Sequence, residues 1–185
     1  MHIANASPPS ELPERSSERS AGELATDTDA VMERERAYSL AHRALGGRER
    51  TVSELRGVLE RRDVGAETIE AIVVDLLEAG LLDDARYARV FSEDRRLLDR
   101  WGAERIERDL LRRGVDGALV AAALAGRSDE AELAAAASLL ADRFATLADD
   151  RERDRAWRLL VRRGYAPELA YEAVRARERD IARAD

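Results

Sequence analysis

The chain has 185 residues and a net charge of −7, with 37% charged and only 4% aromatic residues. It contains no cysteine, which excludes a disulfide framework, a thiol nucleophile and a thiolate metal site. The two histidines, His2 and His42, lie far apart in the sequence, so we expect no metal site. No stretch reaches the roughly 20 apolar residues that span a membrane, and we expect a cytoplasmic protein without a membrane partner.

The charge is distributed unevenly along the chain. Residues 1–30 contain six acidic residues and two arginines, a net charge of −4, together with Pro8, Pro9 and Pro13. This segment lacks apolar periodicity, so we predict a disordered acidic tail. Residues 83–127 contain nine acidic residues and ten arginines, a net charge of +1. The chain as a whole is therefore not a polycation, and any nucleic-acid contact has to be local.

After the tail, apolar residues recur at helical spacing between short polar or glycine-containing segments. The first predicted helix begins near Ala30 and ends at Gly46 and Gly47. Thr51 and Glu54 then form a capping box, with a hydroxyl at the cap and a carboxylate three residues later. Alanine, leucine, glutamate and arginine dominate, and no alternating β-branched run is present. This composition predicts an all-α protein.

The most informative stretch runs over residues 82–115. Asp83 is a good N-cap, because its carboxylate can accept a hydrogen bond from an amide of the first helical turn. Trp101 and Gly102 interrupt the helix that follows, and Gly114 ends the next one as a left-handed C-cap. Two helices joined by so short a turn are expected to pack against each other.

The second of these helices separates apolar from charged residues. Ile106 and Leu110 lie on one side and are expected to be buried. Four arginines lie on the face away from them: Arg105, Arg108, Arg112 and Arg113.

Three segments of the chain repeat with a period of about 50 residues. Their anchor positions are 51 and 50 residues apart: Val64, Val115 and Tyr165. A leucine lies five positions before each anchor: Leu59, Leu110 and Leu160. An arginine pair lies just before each anchor: Arg61 and Arg62, Arg112 and Arg113, Arg162 and Arg163. Matches at this many positions indicate a repeat architecture.

We therefore predict an all-α fold of three tandem three-helix repeats in an elongated, curved arrangement. The predicted units are residues 31–82, 83–127 and 128–185, and they follow the acidic tail of residues 1–30.

The recurring arginines have two explanations. A cation in the last turn of a helix compensates the helix dipole and needs no further role. Alternatively, a stack of units places the pairs along one side, where they form a contact surface for a partner. The candidate partner-binding residues are Arg61, Arg62, Arg105, Arg108, Arg112, Arg113, Arg162 and Arg163.

Two motifs of the chain resemble the RecX family of regulatory proteins. The first, L-x-D-D-x-x-Y-A-x-x-F, ends at Phe91, and the second, W-G-x-x-R-I-x-x-x-L-x-x-x-G-V, runs from Trp101 to Val115. The similarity covers about residues 36–178. The residues that match the family motif, and that are expected to serve the structure, are Asp83, Asp84, Tyr87, Phe91, Trp101, Gly102, Ile106, Leu110 and Gly114.

The resemblance implies an all-helical, non-catalytic modulator of the RecA recombinase. Such a protein is expected to lodge in the groove of the RecA–DNA filament, to suppress ATPase and strand exchange, and so to modulate recombination, DNA repair and the SOS response. We expect a monomer without a cofactor, with the RecA filament as main partner and at most a weak contact to single-stranded DNA. The family's basic segment after Phe91 is here Ser92 to Arg100, in which acids are mixed with arginines.

Two other functions are weighed against this one. Short helix-turn-helix units can enter a DNA groove, so a stand-alone helical nucleic-acid-binding module is the alternative. A net acidic chain, however, binds bare DNA weakly and with strong salt dependence. For an enzyme, the sequence offers no Ser/His/Asp set, Gly-rich phosphate loop or metal cluster, and we predict no catalytic residue.

Overall fold

The computed structural model describes the backbone of residues 15–184 and the side chains of residues 30–183. All regular structure in that part of the chain is helical, which confirms the all-α prediction. The helices are α1 (Arg15–Gly47), α2 (Val52–Glu60), α3 (Ala66–Glu78), α4 (Asp84–Leu98), α5 (Ala103–Arg112), α6 (Gly117–Leu124), α7 (Asp129–Arg143), α8 (Asp150–Arg163) and α9 (Pro167–Ala184).

The first helix begins earlier than the sequence predicted. α1 starts at Arg15 rather than near Ala30, so residues 15–30 of the expected tail are helical. No proline follows Pro13 in this segment. Packing holds the second half of α1, and from there the helix can extend through residues 15–30 although these residues form no apolar face. Residues 1–14 of the predicted tail lie outside the described residues, and for them the tail stays a prediction.

Three separate hydrophobic cores lie along the chain, one for each group of three helices. We call these groups unit 1 (α1–α3), unit 2 (α4–α6) and unit 3 (α7–α9). The leucine that recurs in the sequence is completely buried in each core: Leu59, Leu110 and Leu160. The closely packed helix pairs lie within units. This confirms three tandem three-helix units, while their borders at residues 31–82, 83–127 and 128–185 stay predictions.

Polar side chains determine where most of these helices begin. Five residues accept a hydrogen bond from an amide in the first turn of the helix that follows: Thr51, Asp83, Asp116, Ser128 and Asp149. The first-turn amides of a helix have no acceptor within the helix itself. Each cap therefore satisfies one of these donors and marks a helix start in the sequence.

The middle helix of each unit is followed by a residue with left-handed backbone. This residue is Gly114 after α5 and Gly164 after α8, with φ angles of 78° and 86°. After α2 it is Asp63, with a φ angle of 57°. The same turn therefore ends all three middle helices, but only units 2 and 3 use glycine for it.

A joint connects units 1 and 2 where the end of α5 meets the start of α2. The Thr51 hydroxyl donates a hydrogen bond to the carbonyl of Arg113 at 2.7 Å. The amide of Val52 donates to Oδ1 of Asp84 at 2.9 Å. Of the amides at the start of α2, that of Val52 is thus satisfied by unit 2, whereas that of Glu54 is satisfied by the N-cap Thr51.

The joint between units 2 and 3 repeats this arrangement, with the end of α8 at the start of α5. The amide of Gly102 donates to the carbonyl of Arg163 at 2.9 Å, and the amide of Glu104 donates to the carbonyl of Gly164 at 3.1 Å. A Cβ atom at Gly102 would lie 2.2 Å from the carbonyl oxygen of Gly164. Glycine is required here because the two backbones touch. The joints connect the units in chain order, as a row.

Replacing Gly114 by alanine tests how strongly the first joint depends on its glycine, and Gly80→Ala is the matched control. Both glycines have left-handed backbone, with φ angles of 78° and 67°, where any other residue costs roughly 1–2 kcal/mol. A Cβ at Gly114 would lie 2.3 Å from the Cβ of Ser53, whereas a Cβ at Gly80 would meet nothing within 4 Å. We expect Gly114→Ala to lower the free energy of unfolding by about 1–3 kcal/mol more than Gly80→Ala. Urea unfolding measures the difference, and equal losses would mean that the joint does not close on Gly114.

Candidate partner-binding surface

Three aromatic side chains form a row through unit 2. The rings of Tyr87 and Phe91 stack with centroids 6.0 Å apart, and the edge of Trp101 meets Phe91 at 6.4 Å. Tyr87 and Phe91 are neighbours on α4 because they are four residues apart. Both are buried, whereas Trp101 is half-buried. The row therefore leads from the core of unit 2 to its surface.

Three arginines lie over this aromatic row. The guanidinium of Arg95 is 5.0 Å from the ring centre of Phe91 and 5.3 Å from that of Trp101. Arg105 is 3.9 Å from the ring centre of Trp101, and Arg113 is 5.1 Å from that of Phe91. A cation over an aromatic face is attracted by the ring quadrupole. These guanidinium groups are therefore positioned by the motif aromatics.

The second arginine of each pair belongs to a joint in units 2 and 3. Nη1 of Arg113 lies 2.8 Å from Oε1 of Glu54, and the two side chains are only 29% and 18% exposed. Nη1 of Arg163 donates a hydrogen bond to the carbonyl of Asp99. The sequence placed Arg113 on an open charged face, but the structure places it against the neighbouring unit. These two predicted partner contacts are engaged within the chain.

The first arginine of each pair faces solvent. Arg112 is 69% exposed, and among the described residues its one ion-pair partner is Asp109, three residues earlier on the same helix. Arg61 and Arg162 are exposed as well. Arg62 is also exposed, because none of the described units meets the end of α2 in a joint.

Three arginines of α5 recur on α8 with the period of 50 residues. Arg105, Arg108 and Arg112 correspond to Arg155, Arg158 and Arg162. Spacings of three and four residues place each set on one face of its helix. We call these six residues the arginine ridge. Of the α8 set, the prediction from sequence included only Arg162. Arg155 and Arg158 could have been found too, because they lie one repeat period after Arg105 and Arg108.

The two halves of the ridge meet at the joint between units 2 and 3. Nη1 of Arg105 donates to the carbonyl of Arg162 at 3.3 Å. A Cβ at Gly164 would lie 2.2 Å from the Cβ of Arg105. The ridge is therefore one surface across two units. It stops at unit 1, where the corresponding positions are Glu54, Gly57 and Arg61.

The motif residues build unit 2 and its joints. Asp83 caps α4 through the amide of Arg86 at 2.8 Å, and Ile106 and Leu110 are completely buried. Gly102 and Gly114 lie in the two joints, as described above.

The Asp84 carboxyl is partly buried in the first joint. Burial raises its pKa, and the hydrogen bond from Val52 opposes part of that shift. A raised pKa means that the folded state disfavours the charged form. The contribution of this carboxyl to stability is therefore largest at low pH and is lost as the pH rises through its folded pKa.

The fold defines a class of protein, an all-helical tandem repeat of three-helix units with an arginine-lined face. Among the described residues, no group of three or more His, Cys, Asp or Glu side chains could hold a metal ion. None of the helices in residues 15–184 is both long and apolar enough to cross a membrane.

Comparisons with known proteins identify the family. The signature described as "RecX, first three-helix domain" matches residues 37–76, and that of "RecX, second three-helix domain" matches residues 83–124. The regulatory protein RecX of Deinococcus radiodurans is 35% identical over 144 residues, which cover 77% of this chain and 69% of the relative. The regulatory protein RecX of Amycolatopsis mediterranei is 32% identical over 177 residues, which cover 94% of this chain and 91% of the relative. The chain belongs to the RecX family of regulatory proteins.

Solved structures agree with this fold. The crystal structure of RecX from Lactobacillus salivarius superposes with a TM-score of 0.73 at 19% identity, covering 80% of this chain and 98% of that one. A second crystal structure, of a regulatory protein RecX, superposes with a TM-score of 0.72 at 22% identity. The match covers 84% of this chain and 77% of that one. At this level of identity the likeness concerns the fold.

Arg113→Glu should destabilise the chain, whereas Arg112→Glu should not. A glutamate at position 113 would lie beside Glu54 and would remove the cation over Phe91. Breaking a buried ion pair costs roughly 3–5 kcal/mol, and we expect about 2 kcal/mol here because the pair is partly exposed. Arg112 is 69% exposed, and its reversal should cost less than about 1 kcal/mol. Chemical unfolding measures the free energy of unfolding of both variants. Equal losses in the two variants would mean that Arg113 is solvated and does not contact Glu54.

Proposed function

We propose that the chain is a non-catalytic regulator that binds the RecA–DNA filament, inhibits RecA ATPase and strand exchange, and so modulates recombination and DNA repair. Membership in a family of proteins named as regulators supports a function in binding rather than in chemistry. A row of units presents a long surface relative to its mass. Such a surface suits an extended partner, for example a filament with a long groove.

The observation that carries the proposal is the continuity of the arginine ridge. α5 has 10 residues and α8 has 14, so at 1.5 Å per residue the two helices together extend over up to about 36 Å. Arg105 bridges them through its hydrogen bond to the end of α8. A contact line of this length fits a partner that is itself repetitive.

The charges beside the ridge favour a protein partner over bare nucleic acid along α5. Glu104, Glu107 and Asp109 alternate with the arginines of this helix. A surface of alternating sign recognises a complementary pattern of charges and not a uniform polyanion. A stand-alone nucleic-acid-binding module is less well supported, because the net charge of −7 opposes association with bare DNA.

Reversing Arg108 and Arg112 to glutamate should weaken RecA inhibition while the fold survives. Both residues are exposed on α5, and neither is one of the arginines that enter the joints. Like charges opposed across an interface cost several kcal/mol, so we expect the concentration for half-inhibition of RecA ATPase to rise at least about tenfold. The ATPase is measured on single-stranded DNA at increasing concentrations of the chain.

The control is Arg89→Glu with Arg175→Glu, which changes the charge by the same amount on α4 and α9. These arginines are 60% and 58% exposed and, like Arg112, pair with a carboxylate on their own helix. The control should inhibit like the unaltered chain. If the α5 variant is folded by circular dichroism and inhibits as well as the control, the ridge does not contact RecA.

A further inference from the structure

Three arginines line a surface cavity between unit 2 and unit 3. The cavity has a volume of about 430 Å³, which is within the range of sites for small molecules. Arg96 and Arg100 come from α4 and the turn after it, and Arg127 precedes α7. α7 itself contributes Ala135 and Ser138 to the lining. We call this cavity the inter-unit pocket.

The backbone of Arg100 is left-handed, with a φ angle of 52°. Arg100 lies in the turn that ends α4, where the amide of Trp101 donates to the carbonyl of Arg95. A glycine has this conformation at the ends of α3, α5 and α8, because it adopts the conformation without strain. An arginine at such a position costs stability. The strained backbone therefore indicates that the side chain at position 100 has a function of its own.

Two of the three guanidinium groups have no carboxylate partner. Among residues 30–183, neither Arg96 nor Arg127 has a carboxylate within ion-pair distance. Their hydrogen bonds go to backbone carbonyls instead. Nη2 of Arg96 donates to the carbonyl of Leu124 at 3.3 Å, and Nη2 of Arg127 donates to that of Ala131 at 2.8 Å. Both groups keep further N–H donors for a ligand.

The positive charges in the pocket also act on one another. Burial lowers the pKa of the Arg96 guanidinium, and the charge of Arg127 lowers it further. Nearby carboxylates offset part of this positive charge: Glu93, Glu132 and Asp142, which pairs with Arg100. Like charges that are held close together repel one another, and a bound anion removes that repulsion. The pocket therefore has the chemistry of an anion site.

The number of arginines favours a terminal phosphate over the phosphodiester of a nucleic-acid backbone. A terminal phosphate carries a charge close to −2 and has three acceptor oxygens. A phosphodiester carries a single charge and has two free oxygens. Each guanidinium can donate two parallel hydrogen bonds to a phosphate. Three such groups around one cavity thus match the terminal phosphate in charge and in number of acceptors.

We propose that the inter-unit pocket binds the terminal phosphate of a small phosphorylated molecule. The rest of the lining suits the organic part of such a ligand. Leu97 lines the pocket beside the arginines and is 77% exposed, and Ala135 adds apolar surface. An inorganic ion would leave this apolar surface in water, whereas an organic group covers it.

This inference goes beyond the proposed function and does not depend on RecA. The lining of the pocket contains none of the six residues of the arginine ridge. The variants that test the pocket therefore differ from those that test the RecA contact. Failure of either proposal leaves the other standing.

The experiment measures binding of phenyl phosphate to the full chain by isothermal titration calorimetry at low ionic strength, where screening is weak. Phenyl sulfate is the reference ligand, because it has the same shape and one charge fewer. We expect phenyl phosphate to bind at least about tenfold more tightly. Arg127→Gln should weaken its binding about tenfold or more, since a hydrogen bond between charged groups is lost. Arg175→Gln removes an exposed arginine of α9 and should leave the affinity unchanged.

Arg100→Gly separates binding from stability, and Asp63→Gly is its matched control. Both residues have left-handed backbone, with φ angles of 52° and 57°. Glycine relieves the strain at either position, so neither variant should lower the midpoint of urea unfolding. Only Arg100→Gly should weaken the binding of phenyl phosphate, again about tenfold. Damage to the fold would not produce this combination.

Three results would overturn the site itself. In the first, the unaltered chain does not bind phenyl phosphate at about 10 mM. In the second, phenyl sulfate binds as tightly as phenyl phosphate, so that the second charge has no counterpart in the pocket. In the third, Arg127→Gln and Arg100→Gly bind phenyl phosphate as tightly as Arg175→Gln and Asp63→Gly do.

Two further results would overturn the assignment to a small molecule. Oligothymidine without terminal phosphates, at equal phosphate concentration, would displace phenyl phosphate if the pocket were a site for phosphodiesters. A short phosphoserine peptide would bind far more tightly than phenyl phosphate if the pocket were a site for a modified protein segment. We expect neither result.

Discussion

The structure depends on the contact between the end of one middle helix and the start of the preceding one. The last carbonyls of a helix and its first amides both lack partners within the helix. At the joint between units 2 and 3, the carbonyls of Arg163 and Gly164 accept hydrogen bonds from Gly102 and Glu104. Two sets of unsatisfied groups thus complete each other, and the helix dipoles meet with opposite signs. The order of the units and the continuity of the arginine ridge both follow from this contact.

The same contact explains which positions of the repeat are glycine. Gly114 and Gly164 touch side-chain atoms of the neighbouring unit, where a Cβ would lie 2.3 and 2.2 Å from another Cβ. Asp63 occupies the equivalent position after α2, where none of the described units forms a joint. It keeps the left-handed backbone that ends the helix, with a side chain that would obstruct a joint.

The repeat and its buried positions could be predicted from the sequence, because local spacing determines them. Leu110 is buried and Gly114 is left-handed, as their places in the helical pattern indicate. The role of Arg113 could not be read in this way, since its partner Glu54 is 59 residues away. Helical periodicity shows which face is polar, but it does not show which part of that face a second unit covers. The early start of α1 was missed for a related reason, because its first turns have no apolar pattern to mark them.

Amide hydrogen exchange at the start of α5 tests the joint between units 2 and 3 most directly. The amides of Gly102 and Glu104 donate to carbonyls of unit 3, whereas those of Asp150 and Arg151, at the start of α8, have no acceptor in another unit among the described residues. First-turn amides that face water exchange quickly. If the joint holds the units together, Gly102 and Glu104 exchange much more slowly than Asp150 and Arg151. Equally fast exchange at all four amides would contradict the row of joined units and the continuous arginine ridge.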